Sequence, residues 1–454
     1  MKLKVEMTGK RLKQLNRYAR GLATAGLIVF LAAGLWTKTT EAFDKWKDSI
    51  TSEWGGHLRA GGIASSVDDR SIYDTAGAGT WFDGETDFRL KNRTWAGEIY
   101  SFEWHYEAVF RGGDTLEKNN ALKKAGDNAA GNALMTPAFV SDETGFFNLS
   151  GVIDEGDDYI AYHRIDRLVL AARPYWGTAA LGRQALTWGN GLVFNPMDLF
   201  NPFRPTDMER DYKIGADMAL LQIQSGKIDD IQMVYVPRRN PETGEVSWKQ
   251  SSLAGKLHQT VADVDIDLMA AMHYDDVVAG LGTSATLGGA VWRFDATWTQ
   301  PGDGSPEDGF FACVANLDYA WAWGGKNLYG LLEFYYNSLG KSDYADAFSD
   351  PEMLARLGRG ELFTLGKTYM SGRIQYEIHP LVNLSLSLIN NLADPSGTLQ
   401  PRMEWSVKQN IQVVLSGTTH YGRSGTEFGG FYIPEYGVWK IPADNVYCRV
   451  SLFF

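Results

Sequence analysis

The sequence contains little cysteine, and it has no long apolar run beyond its first 36 residues. Its only cysteines, Cys313 and Cys448, lie far apart and form no C-x-x-C pair. This excludes metal-cluster and attached-haem sites. We interpret both as small apolar residues, with a single disulfide between them as the alternative. Because no apolar stretch of about 20 residues follows position 36, helical membrane spans are excluded downstream.

Motifs that carry catalytic chemistry are also missing. The chain has no G-x-S-x-G, H-E-x-x-H or P-loop sequence, and its seven histidines are scattered. The acidic stretch 142–158 lacks the spacing of an EF-hand, which favours a solvated loop over a calcium site. We therefore predict no enzyme activity, no cofactor and no bound metal.

The first 42 residues have the pattern of an export signal. A basic leader precedes the apolar stretch 21–36, and Ala42 offers a small residue at a cleavage site. An N-terminal membrane anchor is the alternative. Removing residues 1–42 takes away eight basic and two acidic side chains, so the charge becomes 35 − 53 = −18. Such an acidic exported chain is a poor nucleic-acid binder.

Aromatic residues (13%) and glycines (49) are abundant, and apolar and polar residues alternate in many short runs. A period of two is typical of strands with one apolar face. Eighteen candidate strands start near residues 54, 87, 102, 163, 178, 215, 229, 252, 263, 277, 289, 310, 327, 366, 381, 398, 410 and 443. The pattern predicts an all-β protein, a transmembrane antiparallel β-barrel of about 18 strands, with 16 as the alternative.

The lengths of the linkers separate a membrane barrel from a soluble sheet. Linkers after even-numbered strands are short, whereas every long linker follows an odd-numbered strand. An outer-membrane barrel sorts its connections in this way, with long extracellular loops and short periplasmic turns. We therefore assign residues 1–42 to a signal peptide, 43–53 to a periplasmic lead-in and 54–454 to the barrel.

The last twelve residues form a period-two strand that runs to the end of the chain. Phe454, Leu452 and Val450 share its apolar face, and Arg449 lies on the other face. This ending resembles the C-terminal signature of bacterial outer-membrane proteins, and the resemblance implies that the barrel-assembly machinery reads these residues. Because a closed barrel leaves no free edge, we predict that this strand pairs with the first strand, near residues 54–64.

Charged residues occupy the phase opposite the apolar faces, so they are predicted to line a water-filled lumen. Three like charges, Arg89, Lys91 and Arg93, share one face and suggest a basic stripe for anionic solutes. Their neighbours Glu103 and Glu107 offer the alternative of cross-strand pairing. The other strand candidates for the lumen are Arg167, Arg173, Arg293, Asp295 and Arg449.

The stretch 182–207 is unlike the rest of the chain. It joins a strand to a loop that carries several apolar side chains and three prolines. We predict that the loop 189–214 folds into the lumen, with packing on the rim as the alternative, and that Asp198, Arg204 and Asp207 line a constriction. The stretch contains Gly182-Arg-Gln-Ala-Leu-Thr-Trp-Gly189 followed by Pro196-Met-Asp-Leu-Phe-Asn-Pro202. This motif resembles a pattern of alginate-export-type and uncharacterised porin-like barrels. Arg183 shares the phase of Leu181, so its alternation directs it toward lipid unless a bulge intervenes.

Two functions fit these features. The first is an outer-membrane channel for hydrophilic solutes or an anionic polymer. The second is a barrel that encloses a multihaem cytochrome in an electron conduit. Expected partners are outer-membrane lipid and lipopolysaccharide, the assembly machinery and, for the second function, multihaem cytochromes.

Overall fold

We describe the protein from a computed structural model. It describes residues 49–71, 78–124, 139, 141–202, 204–205, 212–226, 228–302, 305 and 308–454. The predicted signal peptide and most of the predicted lead-in therefore lie outside the described residues. Among those described, no helix combines the length and the apolar character that spanning a membrane requires.

Long strands dominate the chain. The strands are β1 (Ile50–Val67), β2 (Gly79–Ala96), β3 (Tyr100–Gly113), β4 (Ser150–Glu155), β5 (Tyr159–Ala172), β6 (Gly177–Gln184), β7 (Ala216–Ser225), β8 (Ile228–Val236), β9 (Ser252–Val261), β10 (Val264–His273), β11 (Asp276–Leu287), β12 (Ala290–Gln300), β13 (Phe310–Trp323), β14 (Lys326–Asn337), β15 (Thr368–His379), β16 (Val382–Asn391), β17 (Ser396–Lys408), β18 (Ile411–Tyr421), β19 (Phe431–Ile433), β20 (Val438–Lys440) and β21 (Asp444–Phe453). The helices within the described residues are α1 (Asp114–Lys124), a 3₁₀ turn (Ala345–Phe348) and α2 (Pro351–Arg359).

Eighteen of these strands close into one antiparallel ring. Each pairs with the next along the chain, β3 pairs with β5, and β18 pairs with β21. The ring closes between β1 and β21, in a register that joins His57 to Phe453 and Ser66 to Asp444. The fold is therefore a closed 18-stranded β-barrel, and the predicted pairing of the last strand with the first is confirmed.

The connections sort by length between the two ends of the barrel. Those that join β2 to β3, β5 to β6 and every second pair after that have only two to four residues. All long connections lie at the other end, including 114–158, 185–215 and 338–367. We call these the short-turn end and the long-loop end. The predicted parity is confirmed, although the connections after β10 and β16 at the long-loop end are also short.

The predicted strand starts match the ring closely, with two differences at the beginning. β1 starts at Ile50, inside the predicted lead-in, and β2 starts at Gly79 rather than near residue 87. The strand β4 and the hairpin β19–β20 lie within long connections and were not predicted. Alternation marks strands that bury one face, and these short segments are too brief to show it.

The two faces of the wall differ as the alternation predicts. Leu58, Val450 and Leu452 are between 39% and 46% exposed on the outer face, and Phe454 is 59% exposed. Arg59 and Arg449, which point the other way, are buried inside the ring. Both cysteines are free thiols on separate strands, which rules out the disulfide alternative.

Two irregularities in neighbouring strands change the predicted phase of the wall. In β5 the pairing with β3 shifts at Asp166, so that Asp166 and Arg167 both face inward. In β6 Gly182 has φ +120°, and a Cβ there would lie 1.9 Å from the carbonyl oxygen of Leu168. Only glycine tolerates this conformation. The alternation had directed Arg183 toward lipid; that direction is wrong, because the Gly182 kink turns Arg183 into the interior, where it is buried.

Candidate functional site

The described residues of the connection 185–215 (185–202, 204–205 and 212–215), which we call the inner segment, lie against the inside of the wall. Glu333 of β14 accepts hydrogen bonds from three consecutive backbone N–H groups, those of Leu192 (2.8 Å), Val193 (3.1 Å) and Phe194 (2.7 Å). A buried carboxylate needs such donors because desolvation penalises its charge. Glu333 therefore fixes the turn of the segment at one point of the wall.

A second wall carboxylate holds the preceding residues. Asp295 of β12 accepts from the backbone N–H groups of Asn190 (2.5 Å) and Gly191 (3.1 Å) and from the Asn190 side chain (2.8 Å). Asn316 of β13 bridges the two anchors, since its amide donates to the Asn190 carbonyl and to Glu333, each at 3.2 Å. The segment is thus attached to three adjacent strands.

Apolar side chains of the inner segment complete this attachment. Trp188, Met197 and Phe200 are at most 2% exposed and pack against apolar residues of the wall, including Met218 and Val234. In a separate cluster, the Phe194 ring stacks on Tyr335 of β14 with a centroid distance of 4.3 Å. The residues 188–200 therefore fold inward against the wall, as predicted for the loop 189–214, and do not pack on the rim.

A buried ion pair closes the base of the inner segment. Lys213 Nζ donates to Asp198 Oδ1, to the Leu186 carbonyl and to Thr187 Oγ1. Burial raises the pKa of Asp198 to about 6, although the ammonium of Lys213 partly opposes this effect. Burial also lowers the pKa of Lys213. The pair joins the start and the end of the segment.

We expect the Asp198 carboxyl to contribute a pH-dependent component to stability. Because its pKa in the folded protein is above its ordinary value of 3.8, this contribution is present below pH 3.8 and is lost as pH rises through about 6. The Asp198→Asn variant lacks it, so its unfolding free energy should depend less on pH between 4 and 7. Denaturant unfolding of both proteins across that range tests this, and parallel curves would contradict it.

The connection 338–367 is also attached to the interior. Arg356 of α2 contacts Asp276 (2.7 Å), at the start of β11, and Glu361 (2.8 Å). Glu361 in turn lies 3.3 Å from His273 of β10. Asp350 caps the start of α2, since its side chain accepts from the backbone N–H groups of Glu352 and Met353, and Gly360 caps its end with φ +71°.

The connection 422–443 contacts the connection 338–367 through the buried carboxylate of Glu427. Glu427 accepts from the Leu365 backbone N–H (2.7 Å), the Tyr369 hydroxyl (2.5 Å) and the Asn391 amide (2.7 Å). Burial raises the pKa of Glu427. The connections 338–367 and 422–443 are therefore tied to each other and to the wall.

A cavity of about 470 Å³ lies between the inner segment and the other connections. Its charged lining residues are Asp142, Arg183, Arg204, Lys213, Asp217, Arg238 and Arg359. Most of these residues form ion pairs. Arg183, for example, contacts two carboxylates, Asp142 (2.9 Å) and Asp217 (2.7 Å). Arg238 is buried, and its side-chain donors go to the Gln250 carbonyl and the Ser252 hydroxyl.

The predicted basic stripe is divided by the structure. Arg93 pairs with Glu103 near the short-turn end, and their side chains are 49% and 18% exposed. Arg89 is buried and pairs with Asp166, while Glu107 pairs with Arg164. Arg89 and Arg93 therefore form ion pairs with carboxylates of other strands, which is the alternative to an unpaired basic stripe.

The other predicted site residues lie at several levels of the wall. Arg167 joins the Asp166 cluster at 2.7 Å, and Arg293 pairs with Asp318. Arg173 lies in a turn at the short-turn end and donates to Ser101. Asp207 lies outside the described residues. Of the predicted set, the structure brings together Arg89, Glu107 and Arg167 around one cluster, and it places Asp198 and Arg204 along the inner segment and its cavity.

Three residues central to this site were not among the predicted constriction residues. Glu333 lies on the charged phase of its strand, but its sequence context gives no sign of which loop it binds. The inward position of Asp166 was not predicted, because the bulge in β5 breaks the alternation. Asp217 lies on β7, whose alternation is poor, and it binds Arg183. No group of three or more His, Cys, Asp and Glu side chains within the described ranges is arranged to hold a metal ion.

No family model matches the chain, and no curated protein matches it either. The chain is similar to OccAB4 of Acinetobacter baumannii, with 9% identity, a TM-score of 0.49 and coverage of 89% of this chain and 97% of that one. It is also similar to a BenF-like porin of Pseudomonas fluorescens Pf-5, with 9% identity, a TM-score of 0.49 and coverage of 89% and 98%. For OccK1 (OpdK) of Pseudomonas aeruginosa the values are 9%, 0.48, 89% and 98%. Such low identities transfer no function to this chain.

Proposed function

We propose that the protein is an outer-membrane channel for small hydrophilic solutes, rather than an enzyme. The observation that carries the proposal is the attachment of the inner segment to Asp295 and Glu333, halfway inside a closed ring of eighteen strands. A ring of this size encloses more space than wall side chains fill. A loop fixed across that space narrows a water-filled path without closing the barrel.

The outer face supports a location in the outer membrane. Exposed Leu, Val, Phe and Trp side chains alternate with inward polar residues on nearly every strand. Lipid accepts such a face, and the closed ring leaves no backbone edge for lipid to desolvate. On this proposal the long-loop end is extracellular and the short-turn end is periplasmic, and the C-terminal residues Val450, Leu452 and Phe454 present the assembly signal.

The inner contents favour small solutes over the two other cargoes. The described residues of the connections 185–215 and 338–367 lie against the inside of the barrel, where a multihaem cytochrome would have to fit, and this makes a sheath function the weaker candidate. A long anionic polymer, the cargo that the alginate-export resemblance implies, would have to pass between the same two connections. The cavity there measures about 470 Å³, which suits a single small solute.

Planar-bilayer recording of the purified protein tests the proposal. We expect stepwise ionic conductance from single insertions, because the path between the inner segment and the other connections is lined by charged and polar groups. Protein that is folded, as judged by its heat-modifiable migration on gels, but that never conducts would overturn the proposal. Stoichiometric co-purification of a haem protein with no conductance from the complex would favour the sheath instead.

A further inference from the structure

The ring of Tyr212 lies among cationic side chains of the wall. The guanidinium carbons of Arg89 and Arg59 are 4.5 Å and 5.3 Å from its centroid, and Lys91 Nζ is 4.2 Å from it. Lys91 also donates a hydrogen bond to the Tyr212 hydroxyl at 2.7 Å. The His57 ring stacks on the same phenol at 5.8 Å. One aromatic ring thus contacts three cations from two adjacent strands.

The backbone that carries Tyr212 is fixed to the bulge in β5. Arg167 donates to the Lys213 carbonyl at 2.6 Å, and Asp166 accepts from the Gly215 N–H at 3.2 Å. Lys213 is fixed as well through its buried pair with Asp198. Because attachments follow directly after residue 212, the ring is held over the wall cations.

Tyr212 also lines the cavity of about 470 Å³. The ring therefore stands between the wall cations and the cavity on the proposed solute path. An aromatic face bound to a cation excludes water from that side and offsets part of the positive field through its quadrupole. Ion preference in a pore depends on the charges that reach the path.

We propose that Tyr212 sets the ion preference of the channel by covering Arg59, Arg89 and Lys91. This inference rests on the proposed channel function. With the ring in place, the paired acidic and basic groups of the cavity dominate the path. With the ring removed, Lys91 loses its hydrogen-bond partner and its cover, and the cationic faces of Arg59 and Arg89 that the ring contacts are uncovered as well, although Arg89 keeps its pair with Asp166. The path then gains positive charge, and anions are favoured.

Reversal potentials in a potassium chloride gradient test the inference. We expect Tyr212→Ala to raise the chloride-to-potassium permeability ratio about two- to five-fold, the factor that corresponds to one exposed cation–π contact. Tyr212→Phe keeps the ring and should behave like the wild type. Tyr175→Ala, which removes a 99% exposed tyrosine at the short-turn end, is the matched control and should also leave the ratio unchanged.

A second substitution separates the cations from a general widening of the pore. Adding Lys91→Gln to Tyr212→Ala should reverse part of the gain in anion permeability while leaving conductance high. If Tyr212→Ala conducts with the wild-type permeability ratio, or if Tyr212→Phe shifts the ratio equally, the inference is wrong. If no variant conducts, wild type included, the failure is that of the channel function itself.

Discussion

Replacing Glu333 by glutamine is expected to release the inner segment and enlarge the conductance. The carboxylate accepts three backbone N–H groups and the Asn316 amide, and a neutral amide can satisfy only part of this set. Hydrogen bonds to charged groups contribute about 1.5–3 kcal/mol each. Losing one of them raises the population of the released segment roughly ten- to a hundred-fold.

Single-channel recording measures this effect as larger and more variable current steps. Limited proteolysis within residues 189–202 gives an independent reading, because a released backbone becomes a substrate. Glu404→Gln is the matched control, since Glu404 faces the interior but pairs with Arg402 of its own strand at 2.7 Å. Unchanged current and unchanged cleavage in Glu333→Gln would show that the segment does not depend on this anchor.

Among the substitutions proposed here, replacing Arg183 by alanine is expected to cause the largest decrease in the free energy of unfolding. Its guanidinium binds Asp217 at 2.7 Å and Asp142 at 2.9 Å, and it also donates to the Phe147 carbonyl at 3.0 Å. Removing one member of a buried ion pair costs about 3–5 kcal/mol, because the remaining carboxylates keep their charge without a partner. We expect a correspondingly lower midpoint in denaturant unfolding from detergent.

Two further variants show whether the stranded charge is the cause. Adding Asp217→Asn to Arg183→Ala should recover part of the loss, because it removes one of the two uncompensated carboxylates. Arg173→Ala is the control: this exposed arginine donates to the Ser101 hydroxyl at 2.5 Å, and removing a solvent-accessible donor should cost less than leaving two carboxylates of the interior without their partner. A double variant no more stable than Arg183→Ala would contradict the explanation.

The wall of the barrel could be predicted because its signals are local. Period-two alternation assigns each side chain to a face, and the lengths of the connections assign each end. Together they predicted eighteen strands and the pairing of residues 54–64 with the C-terminal strand. These signals are strong here because one face is apolar over ten or more residues, which a single exception does not obscure.

The interior could be predicted only in part, because its contacts join residues far apart in the sequence. The prolines and apolar residues of the loop 189–214 predicted that it packs inside the barrel, and its described residues pack against the inner face of the wall. That Glu333 and Asp295 hold it depends on how the ring places β12 and β14 opposite this loop. The positions of Asp166 and Arg183 depend on a backbone bulge and on a single positive φ at Gly182, which alternation does not reveal.

The pairing of β1 with β21 also determines the order in which this barrel can form. Every other pair joins neighbouring strands of the ring, whose connections are at most about 45 residues long, so closing each pair costs less chain entropy than closing the seam. The seam joins His57 to Phe453, and its contacts have the largest sequence separation of any strand pair in the ring. We therefore expect this seam to close last during assembly, after the strand pairs with shorter connections have formed.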